Sequence, residues 1–88
     1  MKPVKAFILQ YCPYCQKAKR AYAELSEQYP VPFEWIDEAK EAALADQYDY
    51  YYTPTFYVDE KKVYEAQPGQ SYEEIRDRVE QVLQLAME

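Results

Sequence analysis

The stretch QYCPYCQKAK, Gln10 to Lys19, holds both cysteines of the chain, Cys12 and Cys15. Two residues separate them, one of them a proline. Thiols at that spacing can exchange an electron pair with a disulfide, supply half of a soft metal site, or close a structural bridge. The metal reading lacks ligands: a structural zinc takes about four, mostly Cys and His, and this sequence has two cysteines and no histidine. The missing histidine also removes a Cys–His nucleophile. Two cysteines are too few for the disulfide framework of a small secreted protein. A redox dithiol is the favoured chemistry, with no metal and no bound cofactor expected.

That chemistry needs an accessible, ionisable thiol and a second thiol held back beside it, so the flanking elements matter. VKAFIL (Val4–Leu9) is a short apolar run that reads as a buried strand. From Pro13 the period becomes helical, and Ala18, Tyr22, Leu25 and Tyr29 form one stripe that YPVP ends. FEWID (Phe33–Asp37) alternates apolar and polar as a strand does. Asp37 is placed to cap a short helix through about Tyr48. TPTFYVDEKKVYEA reads as two strands around a turn at Asp59–Lys62. Ser71 and Glu74 form a capping box before an apolar stripe of Ile75, Val79, Val82 and Ala86.

The order is β-α-β-α-β-β-α in a single domain over residues 1–88. The first two strands, joined through a helix, should be parallel with a right-handed crossover. The last two form an antiparallel hairpin. This predicts an α/β three-layer domain with a mixed four-stranded sheet.

Cys12 then falls between the first strand and the first helix. Pro13 suits the first helical position, so Cys12 is the N-cap. Its sulfur faces free backbone N–H groups and the positive end of the helix dipole. Such settings bring a thiol from about 8.5 down to roughly 3.5–7.5. Lys17 and Lys19 add positive potential. Cys15, one turn further in, is the less exposed resolving thiol.

Composition narrows the partners. The hydrophobic fraction is 49%, enough for a packed core. A net charge of −6 argues against nucleic acid as the main partner. Residues 1–20 carry +5 and residues 21–60 carry −9, with Lys40 the lone cation of the latter. The dithiol therefore sits in the basic segment of an acidic chain. No apolar run approaches the roughly 20 residues of a membrane span. The start is too short in its apolar part for a signal peptide, so a reducing cytoplasm and a monomer are expected. Of the eleven tyrosines, most of the cluster Tyr48, Tyr50, Tyr51 and Tyr52 should pack on the sheet. Tyr52, with Tyr11 and Tyr14, is expected to frame an amphipathic rim around Cys12.

CPYCQKAKRAYAEL resembles the active-site helix of glutaredoxins, and YTPTFYVD resembles the threonine–proline strand shared by glutaredoxins and thioredoxins. The resemblance implies a thioredoxin-like, glutaredoxin-type fold with Pro54 cis beside the cysteines and the Thr53 backbone pairing with extended substrate. Pro13 and Lys17 join Tyr11, Tyr14 and Tyr52 as expected substrate contacts. Glutaredoxins usually carry a lysine at the position of Leu9, and a Gly-Gly where this chain has KKVYEAQPGQSYEE. Tyr11 before the first cysteine and the single Gly69 are nearer to thioredoxins, whereas Ala6 stands where thioredoxins bury an aspartate. The expected activity is thiol–disulfide exchange on protein disulfides or glutathione mixed disulfides, with Cys12 as nucleophile and Cys15 resolving. Electrons would come from a reductase or from glutathione, the latter also an expected co-substrate. A dedicated electron carrier or a docking module for one partner is the alternative.

Overall fold

The computed structural model describes residues 1–88. The elements are β1 (Val4–Ile8), α1 (Pro13–Leu25), β2 (Phe33–Asp37), α2 (Ala42–Ala45), β3 (Thr55–Val58), β4 (Lys61–Glu65) and α3 (Tyr72–Met87). The sheet order is β2-β1-β3-β4, with β1 and β2 parallel and the other two pairings antiparallel. The expected α/β three-layer architecture is the one found.

Strand alternation divides the core in two. Val4 and Ala6 of β1 face the larger core with Phe33, Phe56 and Val58, under α1 and α3. Phe7, out of phase with them, turns to the opposite face and packs with Ile36, Ala45 and Tyr57. Tyr48 and Tyr50 cover that second core, their rings 4.7 and 5.2 Å from Phe7. Ala18 and Ala21 are fully buried on α1, small enough for the helix to lie close against its neighbours. On α3, Ile75, Val79, Val82 and Ala86 are buried as the stripe predicts, and Leu83 joins them. Its capping box is present, with Ser71 Oγ accepting from Glu74 N at 3.2 Å and Glu74 Oε1 accepting from Ser71 N at 3.0 Å.

Three boundaries differ from the sequence expectation. α1 stops at Leu25, and Tyr29 lies beyond it. Pro30 disfavours the helical region for Tyr29, and Tyr22 pins the connection by donating its hydroxyl to Val31 O at 2.7 Å. Asp37 caps a turn rather than a helix: its carboxylate accepts from Ala39 N at 2.9 Å, and α2 begins five residues later with no side-chain cap. The hairpin turn is tighter than expected, Asp59–Glu60, with φ of 52° and 69°. Positive φ at both central positions matches strand twist, and it leaves Lys61 and Lys62 inside β4. No helix is long and apolar enough to cross a membrane.

Candidate functional site

β1 delivers the chain to Leu9, and Cys12 N closes a turn onto Leu9 O at 3.3 Å before α1 starts. Cys12 is the N-cap, in extended conformation, with Pro13 opening the helix. Its sulfur accepts the Cys15 N–H at 3.3 Å, the geometry expected for a helix N-terminus. From across the sheet, Thr53 presents its hydroxyl and its carbonyl oxygen, each 3.5 Å from Cys12 Sγ. The Thr53–Pro54 peptide is cis. Cys15 is 2% exposed, its sulfur accepting from Leu9 N at 3.5 Å. Both cysteines are free thiols.

These surroundings separate the two thiols electrostatically. Burial pushes Cys12 up, but hydrogen bonds from the Cys15 thiol, from Thr53 and from the backbone N–H groups of Cys15 and Tyr14 outweigh it. Cys12 therefore lies below its ordinary value. Burial pushes Cys15 up, reinforced by its bond to Cys12, to about 12. Hydrogen bonding, rather than lysine charge, dominates the depression at Cys12. Lys17 Nζ lies over the Tyr14 ring at 5.4 Å, and Lys19 Nζ over the Trp35 ring at 5.6 Å. The basic segment is dispersed further by Lys5, paired with Glu60 at 2.7 Å.

Tyr11 is 87% exposed and Tyr52 48% exposed. Tyr14 departs from the expected rim. Its ring packs against the larger core, and its hydroxyl accepts from Gly69 N at 2.6 Å. It ties the active-site helix to the loop before α3, where Gly69 adopts φ of 89°, a backbone that glycine accommodates without strain. Pro13 is exposed at the helix start, and Pro54 is buried. Tyr51, which the sequence grouped with tyrosines expected mostly to pack on the sheet, is instead 89% exposed. A cleft of about 370 Å³ opens beside Cys12, lined by Leu9, Gln10, Tyr11, Asp37, Ala39 and Lys40. Sequence reasoning missed its far wall. The one available signal was Lys40, the lone cation in the acidic stretch. No three His, Cys, Asp or Glu side chains converge as a metal site would require.

A mixed sheet with a cysteine pair at the N-terminus of α1, its first sulfur against Thr53, is the arrangement of the thioredoxin-like class of protein. The thioredoxin family model matches residues 3–81. The chain belongs to that family, whose members are thiol–disulfide oxidoreductases. Among solved structures, it is similar to a single-residue mutant of thioredoxin from Halobacterium salinarum NRC-1, with 26% identity and a TM-score of 0.62 over 91% of this chain and 73% of that one. Its fold is also like that of oxidised thioredoxin from Plasmodium falciparum, with 19% identity and a TM-score of 0.67 over 93% of this chain and 81% of that one. Oxidised glutaredoxin 2 from Chlamydomonas reinhardtii shares the fold at 21% identity and a TM-score of 0.55, over 98% of this chain and 83% of that one. No curated protein matches the sequence.

Proposed function

We propose that this chain reduces disulfides carried on extended protein segments, with Cys12 as nucleophile and Cys15 as resolving thiol. The observation that carries the reading is the asymmetry of the pair: Cys12 half-exposed and held low by donors, Cys15 buried and raised to about 12. The Cys12 thiolate attacks one sulfur of the substrate, forming a mixed disulfide and expelling the other sulfur as a thiolate that takes a proton. Cys15 then loses its proton and attacks Cys12 Sγ. The second substrate thiolate leaves and is protonated, and the chain is left with a Cys12–Cys15 disulfide. Two electrons and two protons pass to the substrate, and an external reductase or thiol restores the dithiol.

Protein disulfides are favoured over glutathione mixed disulfides. Leu9 puts an apolar wall beside Cys12 where a glutaredoxin has its carboxylate-binding lysine, and the cleft charges Asp37 and Lys40 are of opposite sign. The exposed rings of Tyr11, Tyr51 and Tyr52 offer apolar area with hydroxyls left for water, which suits a peptide. The reading is tested by reducing insulin and a glutathione mixed disulfide, each driven by thioredoxin reductase or by glutathione with its reductase. Insulin reduction lost in Cys12→Ser is the expected result. Undiminished turnover in that variant refutes the reading.

A further inference from the structure

The segment 49–54, which carries Thr53 to Cys12, has no helix or strand of its own. Its shape is set by side chains of β3 and β4. Glu65 Oε2 accepts from Tyr51 N at 2.6 Å and from Tyr52 N at 2.7 Å, while Oε1 accepts from Lys62 Nζ at 3.0 Å. Lys62 Nζ and the Tyr57 hydroxyl both donate to Asp49 O, at 3.2 and 2.8 Å. Thr55 Oγ1 donates to Tyr52 O at 2.5 Å. The next residue is Thr53, whose hydroxyl and carbonyl oxygens contact the Cys12 sulfur.

The β3–β4 register makes this arrangement possible. Phe56 pairs with Tyr64 and Tyr57 with Lys62, so Val63 is an extra, unpaired residue. In a regular strand, residues three apart point to opposite faces. The extra residue reverses that phase, which lets Lys62 and Glu65 meet under the same loop. The Glu65 side chain is 14% exposed, so a charge has been withdrawn from water where an apolar side chain would pack at less cost. Its compensation is two backbone donors that no other group satisfies. A carboxylate suits three converging donors, because it accepts on both oxygens. An amide would turn its NH₂ toward the Lys62 ammonium.

We infer that Glu65 is a positioning residue for the dithiol site: its carboxylate holds the Tyr51–Thr53 backbone against Cys12, setting the reactivity of that sulfur and the alignment of an extended peptide disulfide. The second effect rests on the function proposed above, and the first does not. Lys62 is the charged side chain bonded to Glu65, and Cys15 the titratable one bonded to Cys12.

The test measures the pH dependence of Cys12 alkylation by iodoacetamide in a Cys15→Ser background, which needs no turnover. In the dithiol protein, KM is measured for a peptide disulfide and for a small symmetric disulfide. Glu65→Ala should raise the alkylation midpoint by about half a pH unit, the size expected for one weakened hydrogen bond to sulfur. It should raise KM for the peptide on the order of five-fold, with the small disulfide changed less than about two-fold. Glu65→Met, which keeps the side-chain length but removes both acceptor oxygens, is the decisive variant if Glu65→Ala does not fold. Lys62→Met keeps the Glu65 bonds to Tyr51 N and Tyr52 N but loses the Lys62 bond to Asp49 O, so its midpoint should move clearly less than that of Glu65→Ala. A parent-like midpoint in folded Glu65→Ala, or in Glu65→Met where the alanine variant is unfolded, overturns the inference. So does a Lys62→Met shift as large as that of Glu65→Ala. If the parent protein reduces no peptide disulfide, the proposed function fails while the alkylation midpoints still decide the role of Glu65.

Discussion

Alkylation of the two thiols, one at a time, should differ by at least two orders of magnitude. The perturbation is a pair of single variants, Cys15→Ser to read Cys12 and Cys12→Ser to read Cys15. Cys15 is raised to about 12, first by burial and then by its bond to Cys12, and an ordinary thiol lies at about 8.5. A gap of about 3.5 units leaves Cys15 with roughly 3,000-fold less thiolate at neutral pH. Removing Cys12 also removes one cause of the rise, so a unit is set aside, leaving about 300-fold. Cys12 lies below its ordinary value, which widens the difference, and Cys15 is only 2% exposed, which slows its collision with reagent. The assay is pseudo-first-order labelling with iodoacetamide at neutral pH, followed by mass. Cys12 should label at least about 100-fold faster, the bound left after these allowances. Rates within about ten-fold of each other would refute the derivation, because neither the helix N-terminus nor the burial of Cys15 would then be acting as argued.

Other outcomes follow from the same geometry. Leu9→Lys places an ammonium in the cleft wall beside Cys12 and should lower KM for a glutathione mixed disulfide several-fold, since a hydrogen bond to a charged group contributes about 1.5–3 kcal/mol before discount for exposure. No change in KM would remove Leu9 as the basis for the proposed preference against glutathione. Ser71→Ala deletes the cap of α3 and should cost about 1 kcal/mol, read as a fall in Tm of about 4–8 °C, with Cys12 alkylation unchanged. Burial, first among their causes, raises Cys15, Tyr50 and Tyr64 each to about 12, whereas unfolded thiols and phenols ionise near about 8.5 and 10. The folded state thus keeps protons that the unfolded state loses, so this stability is fully present below about pH 8.5 and falls as pH rises toward 12. Urea midpoints of the reduced protein should drop between about pH 8.5 and 11, with a shallower initial drop in Cys15→Ser; a flat profile would contradict the assigned burial.

The element order, the α3 capping box and the N-cap position of Cys12 were legible in the sequence because each rests on local physics. Period, cap chemistry and the fixed φ of Pro13 act over a few residues and need no tertiary contact. Those same rules misplaced the ends of α1 and α2, where competing hydrogen bonds decided, Tyr22 on Val31 and Asp37 on Ala39, and the hairpin turn, which positive φ at Asp59 and Glu60 tightens. The site was legible in half. CPYC marked the dithiol, and the resemblance of YTPTFYVD placed Thr53 and Pro54 beside it, but the contact of Thr53 with Cys12 forms through the antiparallel pairing of β1 and β3. Residue type alone did not sort the tyrosines. Tyr14 and Tyr51 are chemically identical, yet one is bound by Gly69 N and the other stands 89% exposed. Glu65 was the least visible of all, a glutamate at the end of a strand like any other. Its meaning comes from one unpaired residue, Val63, which rotates it beneath the loop that Thr53 belongs to. Local sequence thus determined which residues can do the chemistry. Long-range pairing and register decided what surrounds them, because a strand's facing depends on its partner and not on its own residues.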